Sequence, residues 1–329
     1  MPKSREVHLV ARPDGLPTEK DFELVETDVP DAADGEVLVE NLYMSVDPAM
    51  RPRLTVGYEL NEPLEGGAVG RVVQSRAPGF DVGDLVTSRL GFREYFVSGP
   101  GGISKLEVAD GLPLTVHLHA LGGTGFTAYG GLLKIARLKP EDKVFVSTAA
   151  GAVGSVAAQI ARIKGCWVVG STGSAEKARW LAEDAGLSAV IDYKATPIRR
   201  ALHQAAPEGI DVYFDNVGGD HLDAALACMN TLGRVAVCGM ISGYNEPGAR
   251  TVVRNLANII YGRITLRGFT GADFPELHDD FVTDMTGWLR EGRIQYRETI
   301  LEGIDAAPRA LIGLLEGLNA GKMLVKLQD

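Results

Sequence analysis

Lys143-Val144-Phe145-Val146-Ser147-Thr148-Ala149-Ala150-Gly151-Ala152-Val153-Gly154 runs from an apolar strand into a glycine turn and straight on into a helical pattern. The spacing approximates G-x-G-x-x-G, with Ala149 in the first glycine position and Gly151 and Gly154 in the other two. Each glycine has a physical task. Gly151 lets the backbone approach a pyrophosphate, and Gly154 lets the helix pack close to the strand. The helix start then offers unpaired N–H groups and a partial positive charge to phosphate. A bare glycine pattern also occurs in ordinary tight turns. The strand before it and the helix after it point to a dinucleotide.

Outward from this turn, apolar strand-like runs at 143–148, 166–171, 189–192, 211–215, 233–238 and 264–269 alternate with helical patterns. In 153–164, for example, Val153, Val156, Ala157, Ile160 and Ala161 share one face. This alternation builds parallel βαβ units, so the expected fold is α/β with a doubly wound parallel Rossmann sheet. The first 120 or so residues have another texture. Short β-branched or aromatic runs at 7–10, 36–40, 70–73 and 95–97 lie between turn signals such as Pro13-Asp14-Gly15, and they read as a small all-β barrel. A helix at 305–317 and a strand at 323–327 are expected to pack back onto that barrel. The domains are then 1–122 completed by 295–329, and 123–294 for the nucleotide.

The second Rossmann strand selects the nucleotide. An NAD site places a carboxylate at its end to bond the ribose 2′-OH. Here the run is Val168-Val169-Gly170-Ser171-Thr172-Gly173-Ser174, and no carboxylate appears before Glu176, which Lys177 follows. Small hydroxyls, Ser174 among them, and a lysine suit a 2′-phosphate, which an acid would repel. Lys177 also has a bland reading as a solvated residue of a helix's first turn. The expected cofactor is NADPH.

Composition excludes several classes. The 43 acidic and 33 basic side chains give a net charge of -10, with no basic cluster for a nucleic-acid backbone. No apolar stretch approaches the roughly 18 residues of a membrane span, so a cytoplasmic protein is expected. Cys166, Cys228 and Cys238 have no C-x-x-C spacing and sit among apolar residues, as reduced buried thiols would. The six histidines, at 8, 117, 119, 203, 221 and 278, form no H-x-x-x-H or H-E-x-x-H pattern, and no metal is expected.

Several segments together carry a resemblance: Tyr43-Met44-Ser45-Val46-Asp47-Pro48-Ala49-Met50-Arg51, Gly125-Phe126-Thr127-Ala128-Tyr129, the glycine turn through Ser155, Asp215-Asn216-Val217-Gly218-Gly219, and Gly239-Met240-Ile241-Ser242-Gly243-Tyr244-Asn245. They resemble the medium-chain dehydrogenase/reductase superfamily, within it the leukotriene B4 12-hydroxydehydrogenase/prostaglandin reductase group with its curcumin reductase-like and alkenal/enone reductases. The resemblance implies a GroES-like barrel and zinc-independent, NADPH-dependent reduction of the C=C bond of α,β-unsaturated aldehydes and ketones. It lays NADPH against Ala152, Val153, Gly154 and Ser155, with Lys177 and Tyr193 near the 2′-phosphate. Asn216 follows, then Cys238, Gly239, Met240, Ile241, Ser242 and Tyr244, then Phe269, Thr270 and Gly271, and finally Asn319. Tyr193 has a second reading as strand-end packing, and Asn319 with Gly321 one as a helix C-cap.

Zinc relatives place a cysteine where this chain has Ser45 and Val46, and a Gly-His-Glu motif where it has Glu65-Gly66-Gly67. Without a Lewis acid, conjugate reduction needs orientation, a dry slot and a hydrogen-bond donor for the carbonyl oxygen. Tyr244 is the first candidate, Tyr43 and Tyr58 the second, Tyr261 the third; each reads equally as aromatic packing. The segment Arg53–Tyr58 is shorter than in relatives, where it helps form the substrate mouth. Two rival readings stand beside this one: a quinone oxidoreductase of the same superfamily, and a non-catalytic NADPH-binding sensor or structural protein. An apolar edge strand at 264–269, through which relatives dimerise, leads to the expectation of a homodimer.

Overall fold

A strand covered on both faces reads as an unbroken apolar run, and Lys143–Val146 (β8) is one: Val144, Phe145 and Val146 are fully buried. In the computed structural model, which describes residues 2–109, 111–246, 248 and 252–328, β8 lies inside a six-stranded parallel sheet. Its companions are Trp167–Thr172 (β9), Ala189–Asp192 (β10), Ile210–Asp215 (β11), Met229–Val237 (β12) and Thr265–Gly268 (β13). The order is β10-β9-β8-β11-β12-β13. The direction of winding therefore reverses between β8 and β11, which is where an open α/β sheet leaves a crevice at its carboxyl edge.

Helices follow the strands: Ala152–Ile163 (α3), Ala175–Glu183 (α4), Ile198–Ala205 (α5), Gly219–Cys228 (α6) and the short Asn258–Tyr261 (α7), preceded by Gly123–Gly130 (α2) and followed by His278–Arg290 (α8). One face of the sheet is closed by Phe145, Val169, Tyr213, Leu202, Leu222 and Leu226. Each such side chain contributes about 1.5–3 kcal/mol on burial. The helix α3 departs from the amphipathic pattern, because Gly154 through Ala161 are all buried. Gln159 is tolerated there because its amide is satisfied: it donates to Ser155 O at 2.9 Å and Gln295 O at 2.7 Å, and accepts from Gln295 N at 2.7 Å.

The chain divides into two compact units, one from His119 to Arg297 and one formed by the residues through Leu118 together with those from Glu298 on. The second unit contains a two-stranded ribbon, Lys3–Leu9 (β1) with Phe22–Asp28 (β2), and a barrel-type sheet. That sheet uses Val37–Val46 (β3), Ala68–Ser75 (β4), Leu85–Ser88 (β5), Tyr95–Ser98 (β6) and Ile103–Lys105 (β7), with Glu298–Glu302 (β14) and Lys322–Lys326 (β15) from the far end of the chain. Its order is β14-β15-β3-β4-β5-β7, with β6 on the edge of β3. Met50–Val56 (α1) and Ala307–Glu316 (α9) pack on it through Leu54, Leu311 and Leu314, against Leu9, Met44, Phe92 and Val325. Strand β15 runs antiparallel to β3, Met323 opposite Val46, so the tail completes this unit.

Buried polar groups hold the β3–α1 corner. Lys322 Nζ donates to Val46 O at 2.8 Å and pairs with Asp47 at 2.6 Å, while Ser45 Oγ donates to the other Asp47 oxygen. Arg51 is fully buried and donates to Gly15 O and Thr55 Oγ1. One of the segments that carry the resemblance, Tyr43–Arg51, is thus a structural corner.

Candidate active site

The turn between β8 and α3 is shaped by sterics. A Cβ on Gly154 would lie 2.2 Å from Thr148 O, so only glycine lets the helix start this close to the strand. Thr148 itself has φ of 50°, a left-handed conformation costly for a β-branched residue and of the kind stored at ligand sites. The helix begins at Gly151 with no side chain capping it. Its first-turn N–H groups, on Ala152, Val153 and Gly154, have no side-chain cap and could bond a phosphate. Ser155 Oγ and Ser171 Oγ are buried without a hydrogen-bond partner among the described residues. The turn fits the phosphates of a dinucleotide.

At the end of β9 the structure adds a residue that the sequence did not disclose. Ser174 caps α4 by accepting from Lys177 N at 3.3 Å. Burial, and after it the charge of Lys194, lowers the Lys177 pKa. Strand β10 runs parallel to β9 with Asp192 opposite Thr172. Its end brings Tyr193 and Lys194 over Gly173, where a Cβ would meet Tyr193 Oη at 2.9 Å and Lys194 Cε at 3.3 Å. Two ammonium groups that repel each other beside a phenol and the Ser174 hydroxyl suit a phosphate dianion. The Tyr193 ring stands edge-on to His221, centroids 4.9 Å apart, and burial lowers the His221 pKa to about 4.

Across the reversal point, Asp215 and Asn216 end β11. Asn216 Nδ2 donates to Ser147 O at 2.7 Å, joining the ends of β8 and β11. The segment after β12 is tied to this one. Cys238 N and Gly239 N donate to Asp215 O, Ile241 N to Asn216 O, and Ser242 through both N and Oγ to Val217 O. Tyr244 folds back over its own loop, and its hydroxyl accepts from Met240 N at 3.3 Å. Phe269 packs edge-on against Phe214, and Thr270 caps the 3-10 turn Gly271–Asp273.

Of the remaining candidates, Tyr43, Asn319 and Tyr58 belong to the other unit and Tyr261 to this one. Tyr43, on β3, packs half-buried with Val69, Leu118 and Leu324. Asn319 is buried and donates to Gly321 O at 2.6 Å. Tyr58 is buried in the core beside α1, donates to Glu65 O at 2.8 Å and carries Arg53 4.1 Å above its ring. Burial pushes its pKa up to about 12. Tyr261 precedes β13, so it sits at the amino edge of the parallel strands, where it is 80% exposed. Cys166 is buried, Cys228 and Cys238 are half-buried, and all three are unbridged. The described residues bring together no group of three or more potential metal ligands. No described helix is long and apolar enough to cross a membrane.

A parallel sheet whose glycine turn at the reversal point fits phosphate, and a second, barrel-type unit completed by the chain's own tail, define a two-domain dinucleotide-dependent oxidoreductase. Residues 5–106 match the family described as the N-terminal domain of oxidoreductase, and residues 152–287 match the one described as zinc-binding dehydrogenase. Prostaglandin reductase 1 of Rattus norvegicus is 42% identical over 317 residues, 95% of this chain and 96% of the relative. The NADPH-dependent curcumin reductase of Escherichia coli is 38% identical over 336 residues, 99% and 97% of the two chains. The crystal structure of CurA in complex with NADPH from Vibrio vulnificus superposes with a TM-score of 0.94 at 37% identity, covering 99% of each chain. The chain belongs to the medium-chain dehydrogenase/reductase superfamily, in the group that contains prostaglandin reductase 1 and curcumin reductase.

Proposed function

We propose that the chain is an NADPH-dependent, zinc-independent reductase of the conjugated C=C bond in α,β-unsaturated aldehydes and ketones. The observation that carries the reading is the Tyr244 hydroxyl, which accepts from Met240 N on the same sheet edge as the phosphate turn and so keeps its own proton for a second partner. When bound, NADPH supplies hydride to the β-carbon of the substrate. Tyr244 would donate a hydrogen bond to the carbonyl oxygen, where negative charge would collect, and a proton from solvent at the α-carbon would complete the reduction. Lys177, Lys194 and Tyr193 would hold the 2′-phosphate, and the first turn of α3 would hold the pyrophosphate. Ser45, Val46 and Glu65-Gly66-Gly67 offer no zinc-ligand set. Tyr43 is the second donor in this reading. Tyr58 braces the shortened mouth segment, since its hydroxyl is engaged by Glu65 O.

Assays of NADPH oxidation with 2-hexenal, an aryl enone and menadione test the assignment. Turnover of the two conjugated carbonyls is expected; turnover of the quinone alone would replace it with a quinone oxidoreductase, and tight NADPH binding with no turnover would make the chain a cofactor sensor. The edge strand β13, exposed along its length, with Ile260 and Tyr261 exposed beside it, supports a homodimer. Sedimentation with and without Leu266→Lys measures this. Three unbridged cysteines suit a reducing, cytoplasmic compartment.

A further inference from the structure

Beneath the carboxyl edge lies a buried polar chain that no step above uses. Tyr213 is fully buried, its ring stacked on Phe145 at 4.8 Å. Its hydroxyl is 2.7 Å from Asp215 Oδ1 and 3.1 Å from Ser147 Oγ. A phenol has one proton; given to the nearer, carboxylate oxygen, it leaves the phenol oxygen to accept from Ser147. Asp215 is also fully buried. The same Oδ1 accepts from Val217 N at 2.9 Å and Gly218 N at 2.8 Å, while Oδ2 has no partner among the described residues. Ser147 Oγ in turn accepts from Asn216 N at 2.9 Å.

This chain spans the reversal point between β8 and β11, and what it holds is the segment 215–218. The loop that ends at Tyr244 is bonded to that segment nearly residue by residue, through Asp215 O, Asn216 O and Val217 O. A stacked ring and a carboxylate with three donors on one oxygen form a rigid foundation. Core packing alone needs no hydroxyl at position 213, because phenylalanine would stack on Phe145 equally well. The hydroxyl is therefore there for the turn.

We propose that Tyr213, acting through Asp215 and Ser147, is a positioning residue for the reduction: it fixes the 215–218 turn and thereby the place of the Tyr244 hydroxyl. The inference rests on Tyr244 as the donor. It predicts that the two tyrosines act as one unit, although Tyr213 has no exposed atom with which to meet a substrate.

The test compares the full chain with its Tyr213→Phe, Tyr244→Phe and double variants. In the absence of NADPH, hydrogen exchange of the amides in 238–244 is expected to quicken about tenfold in Tyr213→Phe, with β3 and β15 unchanged. With NADPH and 2-hexenal, kcat is expected to fall about tenfold in Tyr213→Phe, and the double variant to be no slower than Tyr244→Phe alone. If exchange or kcat of Tyr213→Phe stays within about twofold of the parent, or if the two losses multiply, the proposal is overturned. A silent Tyr244→Phe brings down the donor reading first and the positioning with it. A silent Tyr213→Phe beside a slow Tyr244→Phe brings down the positioning alone. Should Tyr213→Phe fail to fold, Ser147→Ala removes the neighbouring hydroxyl and is judged by the same two readouts and thresholds.

Discussion

Acid should weaken the nucleotide-binding unit well above the pH at which carboxylates protonate, and His221 is the reason. The imidazole is 6% exposed, lies parallel to the Phe145 ring and edge-on to Tyr193, and its Nε2 has no partner among the described residues. Burial lowers its pKa from 6.5 to about 4, with only Asp220 pulling the other way. The folded state thus binds the proton less readily than the unfolded state. Stability is complete above about pH 6.5 and is lost as pH falls towards 4. The linkage integral gives a loss of about 2 kcal/mol by pH 5 and about 3 kcal/mol by pH 4. Burial lowers the His117 pKa too, and it adds a loss of the same sign in the other unit. Urea unfolding from pH 7.5 down to 5, followed by a probe in the 119–297 unit, measures the effect. His221→Phe keeps a flat ring in the slot and should remove about 2 kcal/mol of the pH dependence. An unchanged pH slope in His221→Phe would refute the reasoning; burial also raises the Asp215 pKa in that unit, and its proton release on unfolding acts with the opposite sign.

Three further outcomes follow from particular contacts. Lys177→Ala and Lys194→Ala should each raise KM for NADPH about tenfold or more and leave KM for NADH nearly unchanged, the loss of one charge-assisted bond; equal effects on both cofactors would remove that lysine from the 2′-phosphate. Gly154→Ala should abolish NADPH binding measured by fluorescence, because a Cβ at 2.2 Å from a backbone oxygen cannot be relieved by a rotamer; near-normal binding would show that the helix can shift. Asp47→Ala leaves the Lys322 ammonium buried with only Val46 O, and should cost about 3 kcal/mol in thermal unfolding, with Asp47→Ala/Lys322→Met recovering part of it.

The parallel sheet was legible where its strands are covered on both faces, as β8 is. The run expected at 143–148 is β8 at Lys143–Val146, and those at 189–192 and 211–215 are β10 and β11 to within a residue. The other unit was harder. Strands β5 and β7 have only four and three residues, too few for alternation to register, and α1 carries Pro52 in its first turn. The glycine turn and the Ser174–Lys177 end could be put forward as candidates from sequence because each is a run of nearby residues. Lys194 was not, because its place depends on the neighbouring strand's order and register. The Tyr213–Asp215 pair had a faint signal: residues two apart on a strand share a face, and a tyrosine and an aspartate among valines and phenylalanines need each other when buried.

The pairing of β15 with β3 has a bearing on biogenesis. Lys322 and Val46, hydrogen-bonded in the finished protein, are 276 positions apart. A ribosome delivers β3 early and its partner late, while the six strands from β8 to β13 need only one another and follow in a block. The nascent amino-terminal unit therefore waits with a strand edge open, a condition that invites wrong partners. Contacts this distant along the chain also close slowly. Strand β3, translated early, is thus among the last to reach its native state, and a chaperone should engage this protein chiefly there.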